Sequence, residues 1–288
     1  MATTLLGANG KLGSMLAAYA RSNGRAWRGQ ARSSGADVIW SGDMAGQNSE
    51  DVFRAGDTLI NMIGHTGGDV ETLEDLNVRF VQDLLHKSAE TGVAHVVLAS
   101  SAATYGAGGD APFCETDDLN PLIPYGVSKM AMEHVALDFA ARQSGPSITI
   151  ARIGNVAGAD ALTAAAKRHI AQDTPMPLHR FEDGTAPVRS YIGPRDLFLA
   201  LDALSIAHNG PPRIVNVVHP QPVALDAVLT AYRDHVLPEL SWADTPAPTG
   251  TPQRVTLCAD KLQRYVKFDE YSNPSDALGR QVAEYLAL

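Results

Sequence analysis

The first 22 residues constrain this chain more than any other stretch. Thr3-Thr4-Leu5-Leu6 is a short strand-like run that breaks into Gly7-Ala8-Asn9-Gly10-Lys11-Leu12-Gly13, and a helix-like stretch, Ser14 to Ser22, follows. A strand, a glycine turn and a helix in that order aim unpaired backbone N–H groups and the positive end of a helix at a diphosphate. The glycines serve three needs: positive φ, close backbone approach to a ligand, and tight packing of helix on strand.

The first half of the chain repeats this alternation. Further strands are expected at Ala26 to Ala31, Val38 to Trp40, Asp57 to Gly64 and Val93 to Ala99. The run Asp57 to Gly64 is almost continuously apolar, as a strand buried on both faces reads. Between the last two, Leu73 to Thr91 carries Leu76, Phe80, Val81, Leu84 and Leu85 at a helical period. Alternating strands and helices imply an α/β fold, a Rossmann-type doubly wound parallel sheet, with ligands bound beyond the carboxyl ends of its strands.

At 288 residues the chain has room for a substantial core in one large domain or two packed ones. Its net charge of −9, without a block of like charge, argues against a nucleic-acid partner. Cys114 and Cys258 stand far apart without paired Cys/His spacing, and the histidines, His169, His179, His208, His219 and His235 among them, are scattered. We therefore expect free thiols and no metal site. No basic segment precedes an apolar run at the N-terminus, and no apolar stretch nears the eighteen or so residues a bilayer span needs. The expectation is a cytoplasmic protein, neither secreted nor membrane-bound.

The end of the second strand bears on cofactor choice, because the adenosine ribose lies there. Ala31 is followed by Arg32, with Arg28 upstream, so a guanidinium rather than a carboxylate is offered, which favours NADP over NAD. Asp43, just past the third strand, is placed to accept from an adenine amino group. Beyond the fourth expected helix–strand step comes Ser100-Ser101-Ala102-Ala103-Thr104-Tyr105-Gly106, directly after a strand, and then Pro124-Tyr125-Gly126-Val127-Ser128-Lys129. A helix starting near Tyr125 puts Lys129 one turn on, on the same face, where its ammonium lowers the phenol's pKa toward neutrality. Tyr125 can then exchange a proton with a carbinol that Ser101 also hydrogen-bonds, while hydride passes to a nicotinamide.

On these residues the sequence resembles the extended short-chain dehydrogenases/reductases of the NAD(P)-dependent epimerase/dehydratase family, which act mainly on nucleotide sugars. Matching stretches run along the chain: Gly7-x-x-Gly10-x-x-Gly13, Gly42-Asp43, Asn77, Ser100-Ser101-x-x-x-Tyr105-Gly106, Tyr125-x-x-x-Lys129-x-x-x-Glu133, Ala151-Arg152-Ile-Gly-Asn155, and Arg189-Ser190-Tyr191-Ile192. The resemblance implies Ser101, Tyr125 and Lys129 as catalytic residues. It implies cofactor contacts from Gly7, Asn9, Gly10, Lys11, Leu12, Gly13, Arg32, Asp43, Met44 and Asn77, with Tyr125 and Lys129 on the nicotinamide ribose side. Ser101, Thr104, Asn155, His179 and Arg189 would face substrate, and the helices 77–91 and 125–142 would form a homodimer.

Departures narrow the chemistry. The 4,6-dehydratases carry an Asp-Glu pair after the catalytic hydroxyl, and the fucose-pathway epimerases a cysteine nearby; here Ala102 and Ala103 stand instead and cannot transfer a proton. What survives is oxidation or reduction at one carbinol carbon, by a 4-epimerase or a 4-ketoreductase of a nucleotide sugar. The alternatives are an NADP-dependent reductase of a non-sugar carbonyl and a non-catalytic NADP(H)-binding protein of the same fold.

The second half alternates less strictly and gathers prolines. We expect a nucleotide domain over residues 1–158 that takes back segments near 189–218, and a smaller C-terminal α/β substrate-binding lobe over 159–288. A helix is expected at Pro194 to Ala207, a strand at Arg213 to Val218, and a surface loop at Asp244 to Pro252. His179 and Arg180 precede a turn, Phe181-Glu182-Asp183-Gly184, that resembles the family's substrate loop.

Overall fold

Strand β1 (Thr3–Leu6) pairs in parallel with β2 (Trp27–Ala31) on one side and with a later strand on the other, with α1 (Lys11–Ser22) between the first two. The structure is a computed structural model and describes residues 2–142, 144–206 and 210–288. The chain continues through β3 (Val38–Ile39), α2 (Ser49–Val52) and β4 (Thr58–Asn61), then α3 (Val70–Glu74), a π-helical turn Asp75–Arg79 and α4 (Phe80–Thr91). It goes on to β5 (His95–Ser101), a 3-10 turn Ala102–Thr104, α5 (Pro124–Arg142) and β6 (Ser147–Ile153). The pairs β1–β2, β1–β4, β2–β3, β4–β5 and β5–β6 are all parallel.

The remaining elements are β7 (Asn155–Val156), α6 (Ala161–Ala171), β8 (Met176–Arg180), β9 (Val188–Arg189), β10 (Tyr191–Ile192), α7 (Pro194–Ser205), β11 (Arg213–Val217), β12 (Val223–Ala224), α8 (Leu225–His235), β13 (Trp242–Pro246), β14 (Arg254–Val255), a 3-10 turn Leu262–Arg264 and α9 (Pro274–Ala287). The main sheet has the order β11-β6-β5-β4-β1-β2-β3. Its direction of growth reverses between β1 and β4, which is the crevice where doubly wound sheets bind ligands.

Two compact units divide the chain: Met1–Gly106, Asp118–Ile153 and Phe198–Val215 form the first, and Ala107–Asp117, Gly154–Leu197 and Asn216–Leu288 the second. The first crossing after β6 therefore falls at Gly154 and not at residue 158. The excursion Ala107–Asp117 groups with the second unit, which no sequence signal announced. In the first unit, Leu59 on β4, Val96 and Leu98 on β5 and Ile148 and Ile150 on β6 pack with Leu84 and Leu85 of α4 and Met132 and Ala136 of α5. Each fully buried Leu or Ile contributes roughly 1.5–3 kcal/mol. The second unit has its own core, including Leu178, Tyr191, Leu229, Tyr232 and Val282.

Several expected boundaries move. Helix α1 starts at Lys11, since Gly10 is its N-cap, so Lys11, Leu12 and Gly13 belong to its first turn. Ser100 and Ser101 are the last residues of β5, because the β6 register carries pairing through Ser101–Ile153. The expected helix over Leu73 to Thr91 begins at Val70 and contains the π turn. Asp244, expected in a loop, is on β13, where pairing with β8 occupies its main chain. The expected end of α7 at Ala207, and His208, lie outside the described residues. Among the described residues no helix is long and apolar enough to cross a membrane.

Candidate active site

The glycine turn opens onto a cleft of about 480 Å³, lined among others by Gly7, Asn9, Gly10, Gln30, Arg32, Gly42, Gly64 and His65. Gly7 takes φ +77, open to glycine at little cost, and a Cβ on Gly13 would lie 2.0 Å from the Gly7 carbonyl oxygen. Only glycine permits that crossing of helix over turn. Helix α1 has no side-chain cap and no acidic residue in its first turn, so its N-terminal N–H groups are left for an anion. The glycine cradle, the uncapped helix end and the reversal of strand order together fit the diphosphate of a dinucleotide cofactor.

Gln30, which sequence reading passed over, is buried at the cleft wall. Its Oε1 accepts from Gly7 N at 3.0 Å and its Nε2 donates to Trp40 O at 2.7 Å, so one carboxamide sets the entry of the glycine turn against the end of β3.

Of the expected cofactor residues, Gly7, Asn9, Gly10 and Arg32 line the cleft. Arg32 is exposed and directly follows β2, with no ion pair among the described residues. Lys11, Leu12 and Gly13 do not line it, being turned into the first turn of α1. The cleft wall near β3 is Ser41 and Gly42 rather than Asp43 and Met44: the Asp43 carboxylate accepts from Ala45 N at 3.0 Å, and Met44 packs on the core.

Asn77 also stays off the cleft surface. It is fully buried in the π turn, where Oδ1 accepts from His65 N at 2.8 Å and Nδ2 donates to His65 O and Ser128 Oγ at 2.9 Å each. Ser128 Oγ in turn donates to Tyr125 O at 2.8 Å. Both donors of the carboxamide are spent on protein, so Asn77 acts as a clamp between the loop after β4 and the first turn of α5. Gly64 makes this possible, since a Cβ there would come within 2.8 Å of Asn77 Oδ1 and 3.2 Å of Lys129 Nζ.

Ser101, Tyr125 and Lys129 meet as their spacing demands. Pro124 opens α5, which suits a residue without an N–H, and Tyr125 follows it. The Tyr125 phenol is hydrogen-bonded to the Ser101 hydroxyl. Lys129 Nζ donates to Ala99 O at 2.8 Å and lies 6.0 Å from the Tyr125 ring centroid. The expected acidification of the phenol is not what results: burial pushes Tyr125 up, and the Ser101 hydrogen bond only partly offsets it. Burial also pulls Lys129 down to about 8, opposed by the charge of Glu133. In each case desolvation outweighs the opposing contact, because the charged form loses water.

Beneath the triad lies a buried ion pair. Arg152 Nη2 donates to Glu133 Oε2 at 2.7 Å, Arg152 Nη1 to Tyr105 OH at 2.9 Å, and Ser100 Oγ to Glu133 Oε1 at 2.5 Å. Thr104 is fully buried and its hydroxyl donates to Ser101 O at 2.9 Å, so it is spent on the turn and does not face substrate.

The other expected substrate residues lie in the second unit. Asn155 Nδ2 donates to Ser190 O at 3.1 Å. Among the described residues Arg189 donates to the main-chain carbonyls of Val188, Gln253 and Pro252, and burial pulls its pKa down. His179 is half-buried on β8, and Arg180 is engaged by Asp226 at 2.7 Å and Asp244 at 3.1 Å, which ties it into the fold.

The profile of the NAD dependent epimerase/dehydratase family matches residues 3–217, which takes in the glycine turn, the serine strand, Tyr125-x-x-x-Lys129 and Arg189. The chain belongs to this family. Among curated members, the UDP-glucose 4-epimerase of Streptococcus mutans is 32% identical over 157 residues, covering 48% of this chain and 46% of that protein. The UDP-glucose 4-epimerase of Lactobacillus helveticus is 41% identical over 85 residues, 30% of this chain and 26% of that protein. The chain thus spans less than half the length of these curated relatives. Among solved structures, MoeE5 in complex with UDP-glucose and NAD has 25% identity and a TM-score of 0.79, covering 100% of this chain and 99% of that one. The UDP-glucose-4-epimerase of Stenotrophomonas maltophila, with NAD and formylated UDP-arabinopyranose, shares the fold with a TM-score of 0.80 at 18% identity, over 100% and 98% of the two chains.

Proposed function

We propose that the protein is a nucleotide-sugar 4-epimerase, oxidising and re-reducing one carbinol carbon with a retained nicotinamide cofactor. The observation that carries this reading is the Ser101–Tyr125 hydrogen bond with Lys129 one turn further along the same helix. The cofactor supplies reversible hydride acceptance. Tyr125 exchanges the hydroxyl proton and Ser101 holds the same oxygen, with Lys129 anchored to Ala99 O one turn further along the helix. Ala102 and Ala103 carry no group able to remove a proton from a neighbouring carbon, which keeps the chemistry at one centre. Arg189, which has no carboxylate partner among the described residues, is read as a contact for a sugar-nucleotide diphosphate. The curated relatives are UDP-sugar 4-epimerases, which supports this substrate class.

Arg32 favours NADP, although the related structures hold NAD. It also favours a second reading, a ketoreductase that releases oxidised NADP, since cells keep that pool reduced. We read the protein as a cytoplasmic homodimer joined through α4 and α5.

The test is a panel of UDP-, GDP- and dTDP-sugars with NAD or NADP. Epimerisation gives the C4 epimer without net change in nicotinamide absorbance. Stoichiometric cofactor oxidation with a 4-keto substrate selects the reductase instead, and inertness toward every sugar nucleotide removes the substrate class.

A further inference from the structure

The chain's two cysteines both belong to the second unit, Cys114 in the excursion Ala107–Asp117 and Cys258 in the final segment. Their immediate neighbours, Phe113 and Leu257, form an isolated parallel bridge. Phe113 N donates to Thr256 O and Cys258 N to Phe113 O, each at 2.8 Å. Asn216 fastens both segments, its Nδ2 donating to Phe113 O at 3.0 Å and Cys258 O at 3.2 Å. Cys114 N is held by Asp117 Oδ2 at 2.8 Å.

This register sets Cys114 beside Cys258. Adjacent strands lie about 4.7–4.9 Å apart, inside the roughly 4.4–6.8 Å range of Cα separations that a disulfide spans. The two thiols share a hydrogen bond, and both residues are half-buried rather than sealed in the core.

We propose that Cys114 and Cys258 form a dithiol modification site that closes into an intramolecular disulfide on reaction with a peroxide and reopens with a thiol reductant. The Cys114 thiolate attacks one peroxide oxygen, the O–O bond breaks, and the departing oxygen leaves as water or an alcohol after taking a proton. Cys114 is then a sulfenic acid. The Cys258 sulfur forms the S–S bond, and the sulfenic oxygen leaves as water with the Cys258 proton. The two sulfurs together lose two electrons and the peroxide gains them. Burial pushes the Cys258 thiol up to about 11, which suits the partner that resolves the sulfenic acid rather than the one that attacks first.

The link has a place in the chain that gives it consequence. Ala107–Asp117 lies between Ser101 and Tyr125 in sequence, so the disulfide tethers the connection between two residues of the triad to the C-terminal part of the chain. The site stands independently of the epimerase reading.

The experiment exposes the full-length protein to hydrogen peroxide, blocks remaining thiols by alkylation, and maps non-reduced peptides by mass spectrometry. The expected result is one peptide joining Cys114 to Cys258 within a single chain, abolished by dithiothreitol and absent from Cys114→Ser and Cys258→Ser. The oxidised wild type should also melt at a higher temperature than the reduced form. Thiols that both remain alkylatable, separate over-oxidation to sulfinic acids, or a link between two chains overturns the proposal. The wild-type peptide map decides the matter even if a serine variant fails to fold.

Discussion

Glu133 and Arg152 form an ion pair whose side chains are 1% and 3% exposed, with Nη2 2.7 Å from Oε2. Glu133 stands one turn beyond Lys129, and two further residues bond the pair: Ser100, beside Ser101, and Tyr105, at the end of the serine turn. Removing one partner leaves a buried charge uncompensated, at a cost of about 3–5 kcal/mol. Glu133→Leu is expected to lose that much in denaturant unfolding, whereas Arg54→Ala, which breaks an exposed pair, should lose less than about 1 kcal/mol. Similar losses for the two would contradict the role given to the buried pair.

Lys129 carries a pH signature. Its pKa falls from 10.5 to about 8 on burial, so between those values the unfolded chain binds more protons than the folded one. Stability contributed by this group therefore rises with pH across that window, by on the order of 3 kcal/mol in total. Turnover should move the other way, declining above about pH 8 as the ammonium is lost. Lys129→Met should flatten the stability rise; an unchanged slope in pH-dependent unfolding would refute the assignment.

Tyr125→Phe keeps the ring and removes the proton carrier. Turnover should fall roughly 10²–10⁴-fold, with cofactor affinity changed much less. Retention of full turnover on a sugar nucleotide would remove Tyr125 from the chemistry.

Arg32→Ala tests cofactor choice by titration. A charge-assisted bond to the 2′-phosphate contributes about 1.5–3 kcal/mol, so NADP affinity should drop roughly ten- to a hundredfold while NAD affinity stays level. Equal loss for both cofactors, or tighter binding of NAD by the unaltered protein, would dismiss the preference.

Asn77→Leu deletes the clamp between the exposed His65 main chain and the buried Ser128 hydroxyl, which keeps only its bond to Tyr125 O; the lost hydrogen bonds cost about 0.5–1.5 kcal/mol each. The expected outcome is lower stability together with weaker cofactor binding, read by thermal unfolding and titration. Unaltered values of both would mean that the contact does not position the site.

Much of this molecule follows from local pattern. The glycine turn, the strand and helix alternation and the Tyr125-x-x-x-Lys129 spacing were legible because each is written within a few residues, where backbone sterics and the period of a helix or strand decide the outcome. Roles that depend on partners distant in the chain were not. Thr104, expected to face substrate, turns back to Ser101 O, and Arg180, beside the expected substrate loop, is held by Asp226 and Asp244. Gln30 carried no motif, yet its carboxamide joins Gly7 to Trp40.

The sequence by itself determined the doubly wound sheet, the glycine cradle and that Tyr125 and Lys129 stand one turn apart on one helix, since those rest on short-range geometry. Tertiary structure alone decided the ionisation of that station. Burial around Tyr125 and Lys129 moves their pKa values in directions opposite to what adjacency on a helix implies, because desolvation depends on every neighbouring element and not on spacing along one.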